Sequence, residues 1–307
     1  MRAWTRSVTF RLLVVLLLST IVAAVLFPWI WRSMAAMGLE MAEYPAPRVF
    51  RRVWMVAVLA GLILSRNHIG LQHPARVGLE FTKDTGNNAW WGVVTVWGFL
   101  FSLTILYVLA GAWMPRPDYR FAELFHQFYQ GLLRGCLVAL LEEYVFRGLI
   151  FRSLCRRFSW LSAAALASLI FSLLHFLDTR SFYWDIHPGS WGAGFVLCAA
   201  MVHHMIHRIT LFPDALGLWL VGMILCYAVK RTGTLWYGIG LHGGWVWFVT
   251  FRGAFCYAVE GIETWYGGPR LFNGIYPMVG MLVIFPITHF LIQWGWLGGK
   301  SWSVEKE

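Results

Sequence analysis

Charged residues are scarce in this chain, and lysine is the scarcest of them. Only 13% of the 307 residues are charged, whereas a soluble domain has about a quarter. Lysine occurs only at positions 83, 230, 300 and 306. Because 59% of the residues are hydrophobic, the shortage of charge excludes an ordinary soluble domain and predicts an integral membrane protein.

The net charge of +10 therefore comes almost wholly from arginine. In a soluble protein this excess would suggest nucleic-acid binding, but the sequence contains no nucleic-acid-binding motif. The arginines cluster at the ends of apolar runs, which indicates contact with the anionic headgroups of a lipid bilayer. The 19 tryptophans fit a chain with many membrane–water boundaries, where indole rings are enriched.

Cysteine is also rare. The five cysteines are far apart in sequence and odd in number, which argues against both a disulfide framework and a CxxC metal site. We expect each of them to be a small buried apolar side chain, and we expect no cofactor. Their positions are 136, 155, 198, 226 and 256.

Membrane-length apolar runs predict an all-α, polytopic transmembrane helix bundle of about eight to nine segments. The first run, 12–31, follows three arginines and indicates an uncleaved anchor. The run 53–65 is short for a span, and is re-entrant, tilted or continued by less apolar neighbours. We expect a multi-pass protein of the bacterial inner (plasma) membrane. The remaining runs are 89–113, 131–151, 158–177, 191–207, 211–229, 233–251 and 274–297.

Ionisable groups interrupt three of these runs. Glu142, Glu143 and Arg147 fall in the run 131–151. His175 falls in the run 158–177, and His242 falls in the run 233–251. Each charge at mid-membrane costs about 2.5–3.5 kcal/mol on insertion scales, so such groups usually face the bundle interior or a wet cavity. Glu143 and Arg147 are four apart and can pair on one helix face, whereas Glu142 points about 100° away from Glu143.

A carboxylate and two histidines on separate helices suggest one hydrophilic pocket with acyl-hydrolysis chemistry. A partly desolvated carboxylate can take a proton from water, and a histidine beside it can orient that water. A second histidine can donate to the oxyanion that forms when water attacks an amide. Taken singly, each histidine is better explained as a helix–helix hydrogen bond, and the Glu–Arg pair as a packing device.

Three motifs in order resemble the CAAX-protease and bacteriocin-processing family of glutamic-type intramembrane proteases. The first is EEYVFR, residues 142–147, which matches EExxxR. The second is FSLLH, residues 171–175, which matches FxxxH. The third is TGTLWYGIGLHGGW, residues 232–245, a small-residue and Leu–Trp stretch that leads to a histidine. The resemblance covers roughly 128–251, which predicts a protease core there. We expect the N-terminal membrane segments, 1–127, to form an anchor or accessory bundle, and 252–307 to form a loop followed by a C-terminal membrane segment.

The resemblance implies a role for each matching residue. Glu142 would activate water as the general base, with His175 helping to hold that water and His242 contributing to the oxyanion hole. The residues Glu143, Arg147 and Phe171 would shape the site. At the position four after His242 the family usually has Asn or a similar polar residue, and here it is Val246. One oxyanion donor is therefore missing, and the indole N–H of Trp245 or a water is the expected substitute.

The sequence thus predicts an intramembrane endopeptidase acting on a membrane protein, or on a peptide with a membrane-associated terminus. A non-catalytic relative, serving as a membrane scaffold or a bacteriocin immunity protein, is the alternative that Val246 favours. A metal-dependent protease using the same three side chains is a further variant. His203 and His207, four apart, form a weaker metal candidate that is better explained as an interfacial cluster.

Overall fold

The computed structural model is mostly helical with almost no strand, as the apolar runs predict. It describes residues 8–38, 46–65, 67–68, 77–118, 120–176, 187–208, 212–299 and 302. Four helical stretches are long and apolar enough to cross a membrane: Phe10–Ala36, Thr85–Leu109, Phe212–Thr232 and Ile275–Gln293. Shorter apolar helices cover Trp160–His175 and Ala193–His203. The prediction of an all-α membrane helix bundle is confirmed, and the full number of spans stays a prediction.

The contacts between helices divide the chain into two compact units. The first unit comprises residues 1–72 and 173–211, and the second comprises 73–172 and 212–307. In the first, α1 (Val8–Ala36) and α2 (Ala46–Leu64) pack together, and α7 (Ala193–Arg208) packs against both. Phe27, Phe50 and Leu197 are buried at the centre of this unit.

The short apolar run at 53–65 is the inner part of a longer helix. The helix α2 begins at Ala46 and has 19 residues, which corresponds to about 28 Å at 1.5 Å per residue. The run is therefore continued by less apolar neighbours, among them Arg48, Arg51 and Arg52. The apolar run is shorter than the helix because the first turns of the helix carry the arginines.

In the second unit, α9 (Trp236–Arg252) packs against α3 (Thr85–Leu109) and α4 (Phe121–Glu143). A π-helix, Tyr144–Phe151, and the short α5, Arg152–Cys155, continue directly from α4. The helix α6 (Trp160–His175) belongs to this unit up to Ser172. Gly233, with a φ of 73°, makes the turn between α8 (Phe212–Thr232) and α9, a conformation that favours glycine.

Smaller elements close the second unit. The strands β1 (Trp113–Pro115) and β2 (Cys256–Ala258) pair antiparallel, with Met114 opposite Tyr257. The short helices α10 (Glu263–Tyr266), α11 (Ile275–Met281) and α12 (Ile284–Gln293) follow. The Asn88 side chain donates to the Gly298 carbonyl at 3.0 Å and accepts from the Gly298 N–H at 2.9 Å. These two bonds fix the segment after α12 to the start of α3.

All five cysteines are unbridged. Cys155, Cys226 and Cys256 are buried and Cys198 is intermediate, but Cys136 is exposed. The expectation of burial is wrong for Cys136, which lies beside the exposed Leu133 and Leu137 on α4. An apolar side chain can face lipid in a membrane protein, so apolarity there does not imply burial.

Candidate active site

The EExxxR motif spans a change of helix type. Glu142 and Glu143 are the last two residues of α4, whereas Arg147 lies in the π-helix. The sequence indicated a continuous α-helix, since nothing in its hydrophobic period distinguishes the two forms. Short π segments inside α-helices are frequent at functional sites, and this one begins directly after the two glutamates.

The predicted pair between Glu143 and Arg147 is present and almost completely buried. Arg147 Nη1 donates to Glu143 Oε1 at 2.9 Å, with the two side chains 1% and 0% exposed. Arg147 Nη2 lies 3.5 Å from the Gly222 carbonyl oxygen, and the guanidinium carbon lies 4.4 Å from the centroid of the Phe171 ring. Because both charges are out of water, each depends on the other for compensation.

His242 contacts both glutamates of the motif. Its Nδ1 lies 2.9 Å from Glu143 Oε1, and its Nε2 lies 3.7 Å from Glu142 Oε2. A carboxylate oxygen can only accept, so Nδ1 is the donor to ionised Glu143, and Nε2 is the nitrogen on the Glu142 side. The sequence did not indicate the Glu143–His242 contact, which joins residues 99 apart.

The adjacent glutamates differ in how deeply they are buried. The Glu142 side chain is 29% exposed, and that of Glu143 is completely buried. Glu142 is therefore partly exposed at the surface of the protein, although its Oε2 is buried, whereas Glu143 is enclosed. Glu143 orients the His242 ring from within the protein.

Glycines bring α4 and α9 close enough for these contacts. A Cβ at Gly135 would overlap the Gly243 carbonyl oxygen, and one at Gly131 would lie 2.9 Å from the Trp247 carbonyl oxygen. Small residues four apart allow this close helix packing in membranes. The four-residue spacing of Gly131 and Gly135 is the sequence signal for this interface.

Phe171 and His175 lie on α6, four residues apart and so on the same face of that helix. The Phe171 ring packs edge-on against Phe146, with centroids 5.1 Å apart, and against His242, with centroids 6.0 Å apart. The role of Phe171 in shaping the site stays a prediction. His175 is the last residue of the helix and is partly buried, and its role in holding water stays a prediction.

Val246, which stands at the position of the missing oxyanion donor, and Trp245, the expected substitute, are both on α9. Trp245 Nε1 donates to the Arg270 carbonyl oxygen at 2.9 Å, so its indole N–H is already used. This corrects the expectation that Trp245 substitutes for the missing donor. Val246 is partly buried, and its carbonyl oxygen accepts a hydrogen bond from Thr250 Oγ1 at 2.8 Å.

The second metal candidate lies near the end of α7. His203 is exposed, whereas the side chain of His207 lies outside the described residues. Within the described ranges, no group of three or more His, Cys, Asp or Glu side chains is arranged to hold a metal ion. The pair of His203 and His207 therefore stays an untested prediction.

Comparison with known proteins identifies one family over the region that carries the motifs. Residues 124–248 match the family described as Type II CAAX prenyl endopeptidase Rce1-like. No curated protein matches the chain, and no solved structure matches it either. The match contains both glutamates, His175, His242 and Val246. Residues 124–248 of this membrane protein are thus similar to the CAAX-protease family, which agrees with the resemblance that its three motifs indicated.

Proposed function

We propose that the protein is an intramembrane endopeptidase that hydrolyses a peptide bond by means of water activated by Glu142. The observation that carries the proposal is the position of His242 between the two motif glutamates, 2.9 Å from one and 3.7 Å from the other. The family match supports a protease of CAAX type. The substrate is a protein or peptide with a membrane-associated terminus.

In the proposed reaction, Glu142 takes a proton from water, and the resulting hydroxide attacks the carbonyl carbon of the scissile bond. The oxyanion accepts a hydrogen bond from His242 Nε2. Because Nδ1 already donates to Glu143, this step requires a proton on both nitrogens of the ring. Glu142 then gives its proton to the departing amine, and the C–N bond breaks. His175 helps to hold the water, while Glu143 and Arg147 keep the His242 ring in place.

The test is a comparison of peptide termini in membrane fractions from cells that express the wild type or Glu142→Gln at equal levels. We expect new termini that depend on Glu142, and these termini identify the substrates. Glu123→Gln is the matched control, since Glu123 is an exposed acid in the first turn of the same helix. It should leave the wild-type termini unchanged.

Indistinguishable termini, with both proteins folded and abundant, would overturn the protease proposal. They would favour the non-catalytic alternative, a scaffold or an immunity protein. Retention of cleavage in the presence of a chelator separates the glutamate mechanism from a metal-dependent one.

Val246→Asn tests whether the missing oxyanion donor limits the rate. Because one such donor contributes about 10²–10³-fold to the rate at comparable sites, we expect faster cleavage of a substrate identified as above. Val249→Asn, also partly buried on α9, is the control and should give no gain. An unchanged or lower rate for Val246→Asn would mean that the site is built around valine.

A further inference from the structure

A groove runs between α1 and α2 in the first unit. Its volume is about 660 Å³, which lies within the range of about 300–1,000 Å³ that is usual for small-molecule sites. Its walls are almost wholly apolar, with Leu18, Val22 and Leu26 contributed by α1 and Val53, Val56 and Ala60 by α2. Because α1 is apolar enough to cross a membrane, hydrocarbon is the medium around these walls.

The two helices touch along one side of the groove. A Cβ at Gly61 would overlap the Ser19 hydroxyl, so α1 and α2 are in close contact at that level. Nearer the middle, Trp54 Nε1 donates to Thr20 Oγ1 at 2.8 Å. These contacts hold the two helices together along the bottom of the groove.

Two arginines line one end of the groove. Arg48 and Arg52 are four residues apart on α2, both are exposed, and both contribute to the lining. Within the part of the chain that the structure describes, neither has an ion pair with a carboxylate. The groove therefore combines an apolar channel with two positive charges at one end, a distribution that complements an amphiphile with an anionic head.

Aromatic residues indicate where the arginine end of the groove lies relative to the membrane surface. Ile30 lines the groove, and the neighbouring Trp29 packs edge-on against Trp191 with ring centroids 4.7 Å apart. The Arg32 guanidinium lies 5.9 Å and 5.4 Å from the centroids of these two rings. Exposed tryptophans beside arginine are typical of the membrane–water boundary, which is where the phosphates of a bilayer lie.

We propose that this groove binds one anionic phospholipid. Its phosphate contacts Arg48 and Arg52, and an acyl chain follows the channel past Val53, Val56 and Ala60. From Arg52 to the end of α2 at Leu64 the helix rises about 18 Å, whereas one leaflet of the hydrocarbon core is about 15 Å thick. The channel is thus long enough for one acyl chain. The proposal is independent of the proteolytic function.

Native mass spectrometry of the purified, delipidated protein tests the proposal, with dioleoyl phosphatidylglycerol or dioleoyl phosphatidylcholine added. We expect the wild type to bind one phosphatidylglycerol in preference to phosphatidylcholine. Arg48→Gln combined with Arg52→Gln should weaken this binding roughly 30-fold, from about a five- to sixfold loss for each arginine near an anionic headgroup. Arg51→Gln removes the same charge from a residue outside the groove lining, and should have a much smaller effect.

Ala60→Trp tests the channel separately, because the indole would fill it while leaving both arginines intact. We expect this variant to lose the bound phosphatidylglycerol as well. Equal binding of the two lipids by the wild type would indicate ordinary boundary lipid and overturn the proposal. Full binding by Ala60→Trp would reduce the site to a surface patch for headgroups, which also contradicts it. Unchanged thermal unfolding of each variant without added lipid excludes a folding defect as the cause.

Discussion

Replacing Glu142 with glutamine is expected to lower the cleavage rate by about 10²–10⁴-fold, the usual contribution of a general base. Glutamine has nearly the same shape but cannot take the proton from water. The melting temperature should stay close to that of the wild type, because the Glu142 side chain is 29% exposed and is not part of the buried ion pair. The measurement is the initial rate on a peptide spanning an identified cleavage site, with protein in proteoliposomes.

Glu123→Gln again provides the control, since it makes the same chemical change near the other end of α4. Its rate should equal that of the wild type. If Glu142→Gln kept the wild-type rate, the assignment of the base would be wrong. A large loss of melting temperature in Glu142→Gln would instead show that this glutamate is structural.

Substitution of Arg147 by alanine is expected to have the largest effect on stability. The change leaves the Glu143 carboxylate, which is 0% exposed, without its cation. Breaking a buried ion pair by removing one partner typically costs about 3–5 kcal/mol. At about 2–4 °C per kcal/mol this corresponds to a fall in melting temperature on the order of 10 °C. Differential scanning fluorimetry in detergent measures it.

Two further variants make this prediction specific. Arg134→Ala removes an exposed arginine from α4, and we expect it to change the melting temperature only slightly. Glu143→Gln combined with Arg147→Met removes both charges, and should be more stable than Arg147→Ala because no carboxylate remains buried without a partner. Equal stability of Arg147→Ala and Arg134→Ala would contradict the structural role of the pair.

The sequence predicted the local part of the site better than the long-range part. The pair of Glu143 and Arg147 follows from a four-residue spacing, and it is confirmed at 2.9 Å. The contact of His242 with both glutamates depends on how α9 packs against α4, which no local pattern encodes. Its spatial cause is the glycine interface at Gly135 and Gly243.

In the fold, too, local features were predicted better than long-range ones. Each apolar run is largely helical because hydrophobic length is a local property, but the run 274–297 forms two helices, α11 and α12, and the run 131–151 passes from α4 into the π-helix. The π-helix at Tyr144–Phe151 was not predictable, since its hydrogen-bond pattern leaves no hydrophobic period of its own. The packing of α7 on α1 and α2 joins distant parts of the chain, and the division at 127 and 251 stays a prediction.

The bonds between Asn88 and Gly298 also have a consequence for the order of assembly. The two residues are separated by 210 positions, and at about 5–20 residues per second they leave the ribosome about 10–40 s apart. Until Gly298 is synthesised, the Asn88 side chain, 1% exposed in the finished protein, lacks the backbone partner to which it is bonded in the fold. The start of α3 consequently reaches its final environment only after α4, the π-helix and α9 have been synthesised.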